Sequence, residues 1–199
     1  MEQSDKIFGK KQDATNKEVV DATSQIENNA RKDIKHIAVE KLNINTSHTQ
    51  EKFLHMTNKI LGLLINKLQE INSLEEEIFE LSKSLKNPNA PNQVQPGEKE
   101  LWAEYKKRRS QITNPISLNQ SNDGSRSFGK PTKYAYLSYP DTQVLFIMKS
   151  ANRAVVEIVY EYGIKRKDQF VLKKDGEKWK VYTKKYGFQD EPTWYKDEI

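Results

Sequence analysis

Cysteine is absent from all 199 residues. That removes disulfide scaffolds, thiolate metal sites and cysteine nucleophiles together. It also suits a reducing compartment, and a cytoplasmic location is the expectation. Long apolar runs are missing too. The most apolar stretch, ILGLLI at residues 60–65, is far shorter than the ~20 residues a membrane helix needs. The first residues, MEQSDKIFGKKQD, hold no apolar segment of signal-peptide length, so no membrane partner and no cleaved export signal are expected. Histidine is scarce: His36, His48 and His55 are the full set. His48 and His55 are spaced to share a helix face, but two ligands without a third make a poor metal site. No metal and no cofactor are expected. The GxGxxG, P-loop and HExxH patterns do not occur. Gly124 and Gly129 sit in a polar loop without the strand-to-helix setting a phosphate cradle requires.

Apolar residues make up 35% of the chain and charged residues 31%. This is lean for one compact globule, so part of the chain is expected to be an exposed or extended helical segment. The net charge of +5 is uneven. Residues 1–100 carry 14 Lys+Arg against 16 Asp+Glu, and residues 101–199 carry 19 against 12. A basic half raises nucleic acid as a partner. The cations have simpler explanations, however. Lys106-Lys107-Arg108-Arg109 sits late on a helix, where the dipole favours positive charge. Lys165-Arg166-Lys167 and Lys184-Lys185 flank strands, where wet turns are expected, and Lys is the usual guard of a sheet edge. Nucleic acid is therefore not expected.

Residues 1–13 read as a disordered polar lead. Residues 14–42 read as a helix with a thin stripe of Val19, Ile26, Ala30, Ile34 and Ile37. After a polar break at 43–50, in which Ser47 or Thr49 is placed to cap the next helix, residues 50–86 carry the strongest helical pattern. Thr57, Leu64, Ile71, Ile78 and Leu85 recur every seven residues. Phe53, Ile60, Lys67, Leu74 and Leu81 form a second, offset series. Such a seam argues for coiled-coil-like packing, either against the preceding helix or in a homodimer through residues 50–86. The expectation is a helical or coiled-coil extension over 14–86, then a Pro-rich linker at 87–97 marking a domain boundary.

From 98 to 199 an α+β domain is expected. A helix over 98–112 carries Leu101, Trp102, Tyr105 and Ile112 and serves as the cover of a sheet. A polar loop follows at 119–131. Strand patterns then alternate with period two. Val156, Ile158, Tyr160 and Tyr162 take one face and Glu157 and Glu161 the other. Phe170 and Leu172 alternate with Gln169 and Lys173, and Trp179 and Val181 with Lys178 and Lys180. Asp175-Gly176 signals a hairpin. Glu157 and Glu161 should face outward and Asp168 lies near a strand start, so none is an evident buried acid and no catalysis is expected. A solvent-reachable hollow with a desolvated acid at its floor would contradict this.

FGKPTKYAYLSY, RAVVEIVYEYG, FVLKKDGEKWKVYTKKYGF and a terminal WY together resemble the nuclear-transport-factor-2-like fold, and more narrowly its immunity-protein branch in bacterial polymorphic toxin systems. The resemblance covers about the last hundred residues. It implies a cone-shaped α+β barrel of curved antiparallel sheet covered by helices, which binds a cognate protein toxin and neutralises it stoichiometrically. Two alternatives stay open: a coiled-coil scaffold with an appended binding domain, and a small-molecule-binding cone of the same fold. For protein binding, the candidate contacts are Tyr134, Tyr136, Tyr139, Trp194 and Tyr195, because exposed Tyr and Trp are the usual anchors of interfaces.

Overall fold

A computed structural model describes residues 39–89, 93–119 and 129–199. The expected lead at 1–13 and nearly all of the helix at 14–42 lie outside the described residues. Where that segment ends, Val39–Lys41 forms a 3-10 turn. Residues 36–199 form one unit. Its order is strand β1 (Asn43–Asn45), a 3-10 turn (Glu51–Met56), helix α1 (Thr57–Leu85), helix α2 (Glu98–Thr113) and a 3-10 turn (Ala135–Ser138). Strands β2 (Gln143–Ser150), β3 (Arg153–Tyr162), β4 (Ile164–Asp175), β5 (Lys178–Phe188) and β6 (Tyr195–Asp197) follow. No described helix is long and apolar enough to cross a membrane.

The six strands lie in one sheet in sequence order. Strands β2 to β6 form an antiparallel meander, and β1 joins β2 in parallel. The sheet is open, with β1 and β6 as its two edges. The expected cone-shaped barrel is therefore corrected to an open mixed sheet, because among the described residues no ladder joins its edges. Asp175-Gly176 makes the β4–β5 turn as the sequence indicates, with Gly176 at φ 58°, a conformation glycine adopts without a Cβ penalty. Irregularities between Met148 and Ser150 and between Val171 and Leu172 interrupt the register, and such bulges bend a strand.

Both edges are short, and the longer strands beside them are covered. On the β2 side, Gln50 N–H donates to Met148 O (3.1 Å). The Thr49 hydroxyl donates to Phe146 O (2.7 Å) and accepts from Met148 N–H (3.2 Å). Thr49 thus ties down a strand and caps no helix: α1 has no side-chain cap, its first turns being continued from the 3-10 segment before it. On the β5 side, Val181 N–H donates to Ile116 O (2.6 Å) and Leu118 N–H to Val181 O (2.9 Å).

The heptad seam of α1 has its partner inside the chain. Ile60, Leu61, Leu64, Ile65, Leu68 and Ile71 are fully buried in one core with the sheet's inner face. That face presents Val144, Phe146 and Met148 from β2, then Val156 and Ile158 from β3. Phe170, Leu172, Trp179 and Val181 continue it across β4 and β5. Farther along, Leu74 and Ile78 turn to α2, meeting Tyr105, Leu101 and Trp102. Arg108 clamps Glu77 through two hydrogen bonds of 2.6 and 2.7 Å.

Two expectations change. Helix 57–85 is the cover of the sheet and not an extension beside it. Helix α2, with Trp102, packs on α1 rather than forming that cover. The expected linker at 87–97 falls between two helices of one unit. The physical reason is common to both changes: a heptad stripe identifies an apolar helix face, and a sheet buries that face as well as another helix does. The face that suggested a homodimer through residues 50–86 is already occupied.

Candidate functional site

The inner face changes character toward one end. In phase with its apolar residues come Tyr160 and Tyr162 on β3, Asp168 and Arg166 on β4, Lys184 and Tyr186 on β5, and Asp197 on β6, as the register pairs show. The segment from Pro131 to Tyr139 walls the opposite side. Between them lies a hollow of about 300 Å³.

The wall is held by its own polar contacts. Lys133 N–H donates to Glu75 Oε2 on α1 (2.9 Å), and the Thr132 hydroxyl donates to Asn72 Oδ1 (2.5 Å). The Thr142 hydroxyl donates to Tyr136 O (2.5 Å). The C-terminal strand is pinned in turn: Lys133 Nζ donates to Glu198 O (2.6 Å), and Arg109 Nη2 to Ile199 O (2.7 Å). Arg109 is almost fully buried. The four-residue basic cluster is thereby dispersed. Arg109 goes to the core and Arg108 to Glu77, while Lys106 and Lys107 face solvent.

At the floor, Asp168 and Lys184 are 3% and 4% exposed, and Lys184 Nζ lies 3.2 Å from Asp168 Oδ2. The Tyr136 hydroxyl donates to the same oxygen at 2.9 Å. Lys184 also contacts Asp197 Oδ2, and Asp197 Oδ1 accepts from Lys133 Nζ at 3.2 Å. Tyr136 stacks on Tyr160 with centroids 4.0 Å apart. Burial, then the charge of Asp168, pushes the Tyr136 hydroxyl well above its ordinary pKa, and the same two causes raise Tyr160. Burial and the nearby Lys184 lower Lys133. Burial likewise raises the Glu75 carboxyl behind the wall.

The sequence did not place an acid here, and the structure corrects that. Asp168 is a buried carboxylate beside a solvent-reachable hollow. This meets the condition set above against the expectation of no catalysis, and one oxygen of the acid receives both an ammonium and a phenol. No family model, curated protein or solved structure matches this chain.

The five candidate contacts fare differently. Tyr134 is 1% exposed, packed on Tyr136 and Phe170, so core packing keeps it from any partner. Tyr136 is also buried but lines the hollow, as does the half-buried Tyr139. Trp194 is half-buried under Lys167 Nζ, 4.7 Å from its ring centre. Tyr195 is exposed and stacks on Tyr186 at 5.2 Å. Gly187 permits this arrangement. A Cβ there would meet Thr193 O at 2.7 Å, so only glycine lets the 189–194 loop return close enough to seat Tyr195. His48 and His55 are exposed.

Sequence reading missed Lys133, Arg166, Lys184 and Asp197, and left Asp168 unassigned. For Asp168 the signal was available, since it shares parity with Phe170 and Leu172. For Lys184 it was not. The irregularity pairs Leu172 with Val181 but Val171 with Thr183. Tyr182 is thus an extra residue, and the phase of β5 inverts after it. Lys184 then falls opposite Phe170, on the inner face.

Asp197 supplies a pH test. Burial pushes its carboxyl up, but Lys184 and Lys133 together pull it further down, leaving it below the ordinary 3.8. A depressed folded value adds stability that is full above the unfolded value and lost as pH falls through the folded one. Between about pH 5 and pH 2, stability should therefore fall more steeply in the native chain than in Asp197→Asn. Urea midpoints across that range decide, and parallel curves would refute the linkage.

Proposed function

We propose that this chain is a binding protein of the nuclear-transport-factor-2-like kind that neutralises a cognate bacterial toxin by stoichiometric association. The observation that carries the reading is the rim of the hollow. Tyr162 (52% exposed) and Tyr186 (40%) line it; exposed Ile164 pairs with Tyr162, and exposed Tyr195 stacks on Tyr186. Large apolar and aromatic side chains gathered around a concavity are the anatomy of an interface core. The floor supports the same reading. Its acid is held by Lys184 and Tyr136 together, which suits a rigid recognition surface.

The hollow itself favours a second reading, a small-molecule cavity, since about 300 Å³ is at the lower end of ligand sites. Coexpression with the product of the neighbouring gene separates the two. Neutralisation predicts an equimolar complex and restored growth. Growth unchanged with or without this chain, and no complex, would overturn it. In that complex, Tyr162→Ala should raise Kd by about thirtyfold or more, as expected for an interface anchor worth ~2 kcal/mol. It should change folding stability by no more than ~0.5 kcal/mol, because the residue is exposed. An unchanged Kd would remove Tyr162 from the interface.

A further inference from the structure

The charges of the hollow do not balance. Three cations line it, Lys133, Arg166 and Lys184, against two carboxylates, Asp168 and Asp197. Lys184 bridges both carboxylates and Lys133 pairs with Asp197. Arg166 is left over. It is exposed and has no ion pair among the described residues; its contacts are the Tyr160 side chain and the Phe188 ring, whose centre lies 6.0 Å away. A guanidinium offers five N–H donors in a planar fork that matches a carboxylate. Here such a fork stands at the mouth of a tyrosine-walled cavity.

We propose that the hollow receives an acidic side chain of a protein partner, its carboxylate held by Arg166 and its methylenes flanked by Tyr160, Tyr162 and Tyr186. The inference rests on the protein-binding reading above and supplies the chemistry of the partner: a protruding Asp or Glu with apolar neighbours. The sign follows from the surplus cation. A basic side chain would meet Arg166 first and add a charge the site cannot offset, whereas an acidic one completes the third pair. The protein source follows from the rim. Tyr162 and Tyr186 line the hollow and are exposed, and exposed Ile164 pairs with Tyr162 across β3 and β4, leaving apolar surface that a free small acid would abandon to water and a polypeptide loop would cover. An enzyme that grips nucleic acid through a basic cleft is then a poor match at this face, and one exposing a carboxylate in its own working cleft is a good one.

The test uses the full chain, labelled for NMR, and reads the Arg166 Nε–H resonance in the native chain and the Tyr160 backbone amide, beside the hollow, in the native chain and both variants. The probes are acetyl-GLELG-amide, its Gln counterpart acetyl-GLQLG-amide, and phenylacetate as a free acid. The Glu peptide should move the Arg166 resonance with a Kd about tenfold below that of the Gln peptide, the factor that one charge-assisted hydrogen bond supplies. R166Q should abolish the difference, and R166K, which keeps charge but not the fork, should retain part of it. Equal Kd values for the two peptides, or no movement of Arg166, overturn the proposal. Phenylacetate binding more tightly than the Glu peptide overturns the protein source in favour of a free acid. Failure here is distinct from failure of neutralisation. If R166Q protects cells as well as the native chain does, the acidic contact is refuted while neutralisation stands. If no toxin is neutralised, the protein-partner assignment falls with it, and a Glu–Gln difference at Arg166 then reports only a carboxylate preference.

Discussion

Residues 98–199 produced alone are expected to be unfolded. The sheet's inner face is covered by helix 57–85, whose Ile60, Leu61, Leu64, Ile65, Leu68 and Ile71 are 0% exposed in their shared core. Burying one such side chain is worth roughly 1.5–3 kcal/mol, so six approach or exceed the ~5–15 kcal/mol by which whole domains are stable. The fragment should give a disordered far-UV circular dichroism spectrum and collapsed NMR dispersion. A subtler form of the same result uses the full chain. Leu64→Ala should cost about 2–5 kcal/mol, with helix and sheet signals melting in one urea transition. A folded fragment, or a helix that melts separately, would restore the picture of an appended extension.

Lys184→Met should destabilise the protein by about 3–5 kcal/mol, the cost of leaving a buried charge without its partner. The Lys184 and Asp168 side chains are 2% and 4% exposed, so water offers little relief. Methionine keeps the apolar stem and removes only the ammonium. Adding Asp168→Asn should recover part of the loss, because neighbours in one network do not add. The adjacent Lys185→Met is the control. Its position pairs with Gln169 on the outer face, and the change should stay within ~0.5 kcal/mol. Similar losses for the two lysines would mean that the phase of β5 does not invert at Tyr182.

How far the sequence carries can be read from these same residues. Alternation at Val156, Ile158, Phe170, Leu172, Trp179 and Val181 reports the buried face correctly, because period two is a property of each strand by itself. The spacing of Leu64, Ile71 and Ile78 reports a buried helix stripe for the same local reason. What covers that stripe is a tertiary fact, and heptads are silent on it. The hollow was the least legible part. Asp168 was visible by parity, but Lys184 depends on one inserted residue, and Asp197 and Lys133 meet it only through the fold. Arg109 shows the opposite failure. It was grouped with three surface cations, yet the helix turns it inward to Ile199.

The way the sheet's margins are finished limits how this molecule can recognise anything. Strands of three residues close both sides, and the backbone next to them is engaged by Thr49, Gln50, Ile116 and Leu118. Only three-residue edges are offered for strand addition along these margins. In the proposed binding role, partner choice then rests on individual side chains at the mouth of the hollow. Such a surface can be retargeted by point substitutions while the scaffold beneath it is left intact.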